Sequence, residues 1–260
     1  MVPMVVVWVI IVGIITTTCL LKIESVECSS VEYRMETLLG RTRQYDSRAV
    51  NVKNSFLMAP SGICLDEESG EIYIADSGRQ LIFKVFGNGT LVYFGGLGTS
   101  GFNGDGYVPL QTQFNSPSSL SIAPNGDLFI ADSGNNRIRI ISSSTGLVSS
   151  IVSNFNNPLG VFVSKNNMLY IADTGNDLII RYNILNKEFT TICGGGELGV
   201  NEATDGVSAT LLKLNSPKNI FVISNGNQDT VYFTDNNRIR SIDYLGKFRV
   251  VDGSQPQSNL

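Results

Sequence analysis

Residues 128–141 read LFIADSGNNRIRII, and this stretch decides the fold. An apolar run ends at Asp132, a Gly-Asn-Asn turn follows, and Arg137 and Arg139 then alternate with isoleucines. By itself, a carboxylate beside two arginines suggests a catalytic, metal-binding or phosphate-binding site. The repetition of the stretch along the chain favours a structural interpretation.

Three other segments align with this stretch. Each unit has four short strand-like runs separated by turns rich in Gly, Asn and Asp. The second run is apolar on both faces, so each side of it needs a covering sheet. It ends in an aspartate that recurs in every unit: Asp76, Asp132, Asp173 and Asp235. Units of about 40–45 residues with four strands are typical of β-propeller blades, so the sequence predicts an all-β propeller.

The repeated motif opens with Pro and runs through Gly-x-Leu/Ile-Phe/Tyr-Ile-Ala-Asp-Ser/Thr-Gly-Asn, and it resembles the NHL repeat. Copies begin near four prolines and together cover roughly residues 58–252: Pro60, Pro117, Pro158 and Pro217. The resemblance implies a propeller, commonly of six blades. It also implies a family of cell-surface and extracellular proteins, ubiquitin-ligase-associated binding domains, RNA binders and some enzymes.

Four full units are visible, with one extra strand predicted at residues 35–40. Because this falls short of six blades, we expect an open arc, an unusual small ring or a fragment of a larger propeller. Open ends would expose apolar blade faces, so self-association through them is expected.

Two linkers between units also repeat and resemble those of teneurin-like NHL proteins. In both, an Asp-Gly pair, at Asp105 and at Asp205, lies twelve residues before the proline of the next unit. Glycine turns and three apolar residues, Leu211, Leu212 and Leu214, are expected to fold the linker back onto the propeller. The linkers differ most between Leu97 and Leu110 and between Glu197 and Ala209. We predict binding loops there, with four polar candidates: Asn103, Asp105, Glu202 and Asp205.

Asp105 and Asp205 are weak candidates for metal ligands. The linkers lack the alternating oxygen ligands and the bidentate glutamate of an EF-hand loop. We therefore predict structural turns, with no metal and no cofactor.

The chain contains no histidine and carries a net charge of -4. Nucleophilic triads that use histidine, and histidine-ligated zinc sites, are therefore excluded. The acidic balance argues against a nucleic-acid partner.

The repeated aspartates and arginines are predicted to be structural. A catalytic residue is needed once per site, whereas these aspartates occur once per unit, so we expect each to accept backbone hydrogen bonds in the turn between the second and third strands. Arg137 and Arg139 recur only as Arg238 and Arg240. We expect their aliphatic stems to lie along a blade edge with the guanidinium in solvent. No catalytic residue is assigned.

The predicted domains are an N-terminal segment (residues 1–28), a propeller (33–252) and a polar tail (253–260). Residues 1–21 contain no charged side chain, which indicates a signal peptide or a retained transmembrane anchor. Either places the protein in the secretory pathway or at the cell surface, with membrane contact if the segment is retained. Asn88-Gly89-Thr90 is the only glycosylation sequon. The pairing of Cys28, Cys64 and Cys193 stays open, and buried free thiols are favoured.

Two classes of function remain. The first is a non-catalytic module that presents loops to a protein or glycan partner. The second is a propeller enzyme of the lactonase or amidating-lyase type. The lyase resemblance implies histidine metal ligands, which this chain does not have, and a lactonase-like site implies a central acidic cluster around a metal.

Overall fold

The computed structural model describes residues 57–199 and 205–251, together with three two-residue strands, β1 (Leu20–Leu21), β2 (Met35–Glu36) and β3 (Val50–Asn51). Strand β1 pairs with β2. Apart from β1, the predicted N-terminal signal or helix lies outside the described residues, as do Glu202 and the predicted tail. Within the part of the chain that is described, no helix is long and apolar enough to cross a membrane.

Four antiparallel sheets of four strands form successive blades of a β-propeller. Blade I contains β4 (Pro60–Leu65), β5 (Ile72–Asp76), β6 (Leu81–Val85) and β7 (Thr90–Gly95). Blade II contains β8 (Pro117–Ile122), β9 (Leu128–Asp132), β10 (Arg137–Ile141) and β11 (Val148–Ile151). Blade III contains β12 (Pro158–Val163), β13 (Met168–Asp173), β14 (Leu178–Asn183) and β15 (Phe189–Cys193). Blade IV contains β18 (Pro217–Asn225), β19 (Gln228–Asp235), β20 (Arg238–Ile242) and β21 (Phe248–Val250).

Shorter elements lie around and between these strands. Strand β3 pairs with β7 and extends blade I to five strands. In the linker before blade IV, β16 (Leu198–Gly199) pairs in parallel with β17 (Leu212–Lys213). The helical elements among the described residues are single 3₁₀ turns at Pro109–Gln111, Ser133–Asn135, Thr174–Asn176 and Ala209–Leu211. The all-β propeller predicted from the repeat is confirmed.

The first strands of successive blades, β4, β8, β12 and β18, lie side by side at the centre. They approach so closely that two positions have no room for a side chain. A Cβ atom on Gly160 would overlap the carbonyl oxygen of Lys218, and one on Gly62 would lie 2.7 Å from that of Ser118. Glycine is therefore required where the inner strands of neighbouring blades meet.

The core consists of apolar layers between neighbouring blades. Phe129, Ala131 and Ile138 of blade II form one cluster with Leu169 and Ile171 of blade III. The aromatic residue repeated in the second strand belongs to these layers in the first three blades, where it is buried: Tyr73, Phe129 and Tyr170. Tyr232 occupies the same position in blade IV and is only half-buried. Because each sheet packs on both faces, its second strand is apolar throughout.

Candidate binding surface

The repeated aspartates fasten each blade to the segment that enters it. Asp132 Oδ1 accepts the backbone N–H of Asn115 at 2.6 Å, and Asp173 Oδ1 accepts that of Asn156 at 2.7 Å. Asp235 and Asp76 accept equivalent bonds from residues just before their blades, namely Asn215, Met58 and Ala59.

The prediction that these backbone donors lie in the turn after the second strand is wrong. Each aspartate is paired with the proline that opens the blade, as Asp132 is with Pro117. Proline has no N–H, so the donors come from the residues before it. In blades II and III the turn adds a side-chain donor, Asn135 or Asn176, at 2.8 Å.

The electrostatic surroundings of these carboxylates suit a structural role. Burial raises the pKa of Asp132, Asp173 and Asp235, while the hydrogen bonds from the entering segment act in the opposite direction. These side chains are buried inside the blade, so they do not reach a solvent-filled cleft where a substrate would bind.

Arg139 is wholly buried, which corrects the prediction that its guanidinium lies in solvent. Its Nη2 donates to the carbonyl of Gly104 at 2.9 Å and to Asp105 Oδ1 at 3.2 Å, while Nη1 lies 3.6 Å from Asp132 Oδ2. The linker before blade II covers the side chain and supplies its partners. Arg240 of blade IV is also buried.

Each Asp-Gly pair docks its linker onto the outer strand of the following blade. Gly106 N–H donates to the carbonyl of Val148, and Val148 N–H donates to that of Tyr107, both at 2.8 Å. Asp105 Oδ1 also accepts the hydroxyl of Ser150 at 2.8 Å.

The second linker repeats this arrangement on blade IV. Gly206 N–H donates to the carbonyl of Phe248, Phe248 N–H donates to that of Val207, and Asp205 Oδ1 accepts the N–H of Val250 at 3.0 Å. Leu212 and Leu214 are buried as the folded-back linker requires, whereas Leu211 is exposed. The described parts of both linkers are therefore held against the blades that follow them.

The polar linker candidates within the described residues, Asn103, Asp105 and Asp205, are engaged in internal contacts. Asn103 bridges its own loop, donating to the carbonyl of Gln111 at 2.7 Å and accepting the N–H of Gln113 at 2.9 Å. Asp105 shares the Arg139 guanidinium with Asp132, which is a structural ion-pair arrangement. The described ranges contain no group of three or more residues that could ligate a metal.

Apolar side chains of the first linker face solvent. Five of them are exposed between the Gly95–Gly96 turn and the 3₁₀ turn: Leu97, Phe102, Tyr107, Val108 and Leu110. The guanidinium carbon of Arg137 lies 3.6 Å from the centre of the Phe102 ring, in cation–π contact. We call these five residues and Arg137 the linker surface. The polar residues of this loop were predicted as binding candidates, whereas its apolar residues were not. Apolar residues within a Gly-rich linker were the sequence signal that could have identified them.

Asn88 lies in the exposed turn between β6 and β7, where its Oδ1 accepts the N–H of Thr90 at 2.9 Å. Cys64 and Cys193 are free thiols. Burial raises the pKa of each to about 12, so both are protonated at neutral pH.

Comparison with known protein families finds two matches. Residues 98–142 match the teneurin NHL domain, and residues 57–85 match the NHL repeat. The first match contains the linker surface except Leu97, and the first three strands of blade II.

Relatives and solved structures resemble only parts of the chain. Teneurin-3 of Mus musculus is 47% identical over 49 residues, which are 19% of this chain and 2% of that protein. The chloroplastic protein SUPPRESSOR OF QUENCHING 1 of Arabidopsis thaliana is 37% identical over 98 residues, covering 37% of this chain and 9% of that protein. The virginiamycin B lyase from Staphylococcus aureus superposes with a TM-score of 0.54 at 18% identity, covering 80% of this chain and 60% of the lyase.

The chain thus spans a small fraction of the length of these curated relatives, and the solved structure indicates the fold alone. The aspartates, the prolines and the inter-blade glycines occupy the same places in successive blades. Together with the matches over residues 57–85 and 98–142, they support an NHL-repeat β-propeller.

Proposed function

We propose that the protein is a non-catalytic binding module that engages a protein partner through the linker surface. The observation that carries this proposal is the exposure of five large apolar side chains on one linker whose backbone is held in place. Exposed apolar groups rimmed by polar residues are typical of interaction sites.

The composition and rigidity of the surface suit a protein ligand. Phe102, Tyr107 and Arg137 are residue types enriched among those that dominate binding energy at protein interfaces. The contacts of Asp105 and Gly106 with blade II fix the loop before a partner arrives, which reduces the entropy lost on binding. A glycan would be bound mainly through polar groups, and those of Asn103 and Asp105 are already engaged within the protein.

The absence of catalysis is part of the proposal. Histidine does not occur in the sequence, the repeated aspartates are engaged in structural hydrogen bonds, and both described thiols are protonated at neutral pH. The likeness to a lyase at 18% identity leaves activity undetermined, because one propeller architecture serves many functions.

We further propose a secreted or cell-surface location, with a glycan on Asn88. The likeness of the first linker to the teneurin NHL domain and the apolar N-terminal sequence support it. A mobility shift on deglycosylation that disappears in Asn88→Gln would support this location, and a chain without glycan after expression in animal cells would count against it.

The binding proposal is tested by capture of partners from cell-surface extract on the full chain, followed by affinity measurement with the purified partner. A Phe102→Ser/Tyr107→Ser variant should bind at least tenfold more weakly. Leu185→Ser is the matched control, because Leu185 is equally apolar and is exposed in a turn of blade III. Equal loss in the control, or undiminished binding by the linker variant, would contradict the proposal. Binding of a glycan ligand would instead be unchanged in the Phe102→Ser/Tyr107→Ser variant.

A further inference from the structure

Blade IV carries a face that is uncovered among the described residues, although its counterparts form the core elsewhere. In the third strand, Ile82, Ile138 and Ile179 are 0% exposed, because each packs beneath the next blade. Ile239 holds the same position in blade IV and is 47% exposed. The residue is of the core type, but no described residue covers it in the way that the next blade covers its counterparts.

Other residues of the same face follow this pattern. Phe221 and Ile223 of β18 are exposed, and Tyr232 is half-buried beside them. A depression of about 380 Å³ lies on this face, lined by residues that include Tyr232, Ser241 and Arg249. We define Phe221, Ile223, Tyr232, Ile239 and Arg249 as the blade IV face.

The opposite end of the propeller does not offer the surface that would complement this face. In blade I, the residues that point away from blade II are Ile74, Phe83 and Leu91, and all three are buried. A second copy therefore cannot add its blade I to blade IV head to tail. The blade IV face is left to meet another copy of itself.

The turn of blade IV also lacks the clasp that joins blades. In the earlier blades, a side chain before the third strand accepts the N–H of the residue before the next proline. Asn136 Oδ1 accepts Asn157 N–H at 2.7 Å, and Asp177 Oδ1 accepts Ser216 N–H at 2.7 Å. Four residues separate the paired ends of β9 and β10, but only Asn236 and Asn237 separate those of β19 and β20. The turn of blade IV is therefore two residues shorter than the turn that carries the clasp in blade II.

We propose that the blade IV face is a self-complementary interface at which two copies of this chain associate about a two-fold axis. Such an interface needs both signs of charge on one surface. Arg249 supplies the positive charge, and Asp243, 3.6 Å away, supplies the negative one. In a two-fold arrangement the Arg249 of each copy approaches the Asp243 of the other.

The size of the face sets the expected strength. A face four strands wide and about six residues long covers about 400 Å². Because protruding side chains add accessible surface, two such faces together bury on the order of 1,000 Å², near the lower limit for stable complexes. Association is therefore expected at roughly micromolar concentration.

Sedimentation equilibrium of the full chain between about 1 and 200 µM tests the proposal, with this range set by the expected affinity. Wild type should pass from monomer to dimer, and Ile239→Lys and Arg249→Glu should each weaken dimerisation at least tenfold. Leu185→Lys and Phe102→Ser should leave it unchanged, which separates this face from the linker surface. A wild type that stays monomeric, or dimers that persist in both face variants, would overturn the proposal.

A cross-linking variant tests the symmetry even if Ile239→Lys fails to fold. Ile239→Cys in a background with Cys19, Cys28 and Cys64 changed to Ser should form a disulfide-linked dimer, because the remaining native thiol, Cys193, is wholly buried. Only a contact that brings position 239 of two copies together gives this product in high yield. Absence of the product at concentrations where wild type is dimeric would exclude the two-fold contact proposed here.

Discussion

Replacing Asp132 with alanine should destabilise the protein more than replacing Asp173, because only Asp132 faces a buried arginine. The two carboxylates make matched hydrogen bonds. Each accepts a backbone N–H, at 2.6 and 2.7 Å, and a side-chain amide at 2.8 Å. In the third strand of the same blade, however, Arg139 stands beside Asp132, whereas Ile180 occupies that position beside Asp173.

The magnitude follows from these contacts. A hydrogen bond to a charged group contributes about 1.5–3 kcal/mol. Part of the loss in Asp173→Ala is offset because a buried charge is removed, so we expect a cost of about 3 kcal/mol. Asp132→Ala also leaves Arg139 without one of its two carboxylates. Since Asp105 remains, this adds about 1–2 kcal/mol, less than the 3–5 kcal/mol typical of a fully broken buried pair.

Urea unfolding followed by circular dichroism at 222 nm measures both costs under one set of conditions. A third variant, Asp132→Ala/Arg139→Met, supplies the internal control, because removing the stranded charge should recover part of the loss. If Asp132→Ala and Asp173→Ala prove equally destabilising, or if the double variant is no more stable than Asp132→Ala, then Arg139 does not depend on Asp132 and the reasoning fails.

Three further outcomes are expected. Gly160→Ala should cost about 3 kcal/mol in urea unfolding, because the new methyl group overlaps the carbonyl of Lys218, whereas Gly87→Ala, which has open space, should be near neutral. Asp173→Asn should be more destabilising at pH 4 than at pH 7. Burial raises the pKa of Asp173 in the folded protein above its ordinary value of 3.8, so the wild type gains stability as the pH falls from above the folded pKa to the unfolded pKa, and the asparagine variant does not. Equal differences in urea midpoint at the two pH values would refute this. Cys193 should resist maleimide labelling at pH 8 until the protein unfolds, and mass spectrometry showing rapid native labelling would contradict its burial.

The fold could be predicted because each repeat has the same short-range pattern of apolar strand runs and turn residues. The run LFIAD ending at Asp132 and the run RIRII beginning at Arg137 coincide with β9 and β10. Period, turn residues and strand composition are local properties, so four aligned copies reinforce one another. The sequence also located the linker between residues 97 and 110 as the place where blades differ.

The contacts that define the site were not predictable in the same way, because they join distant residues. Asp132 receives its backbone donor from Asn115, seventeen positions earlier, and Arg139 reaches Asp105 across thirty-four positions. From sequence, an arginine on a strand is expected to extend to solvent. It is buried here because a linker folds over it, and nothing within the strand itself encodes that cover.

One pattern does connect the arginine with the linker. Arginine occupies the third-strand position in blades II and IV, as Arg139 and Arg240, and these are the blades onto whose outer strands the Asp-Gly linkers dock. Blades I and III have Phe83 and Ile180 there instead. In blade II the guanidinium supplies the donors that the linker carbonyl and carboxylate require, so arginine and linker form a single unit. An apolar residue at that position would leave those acceptors unsatisfied, and an arginine without a linker would remain in solvent. In blade II, Arg139 therefore adds to the contacts that hold the backbone on which the linker surface is displayed.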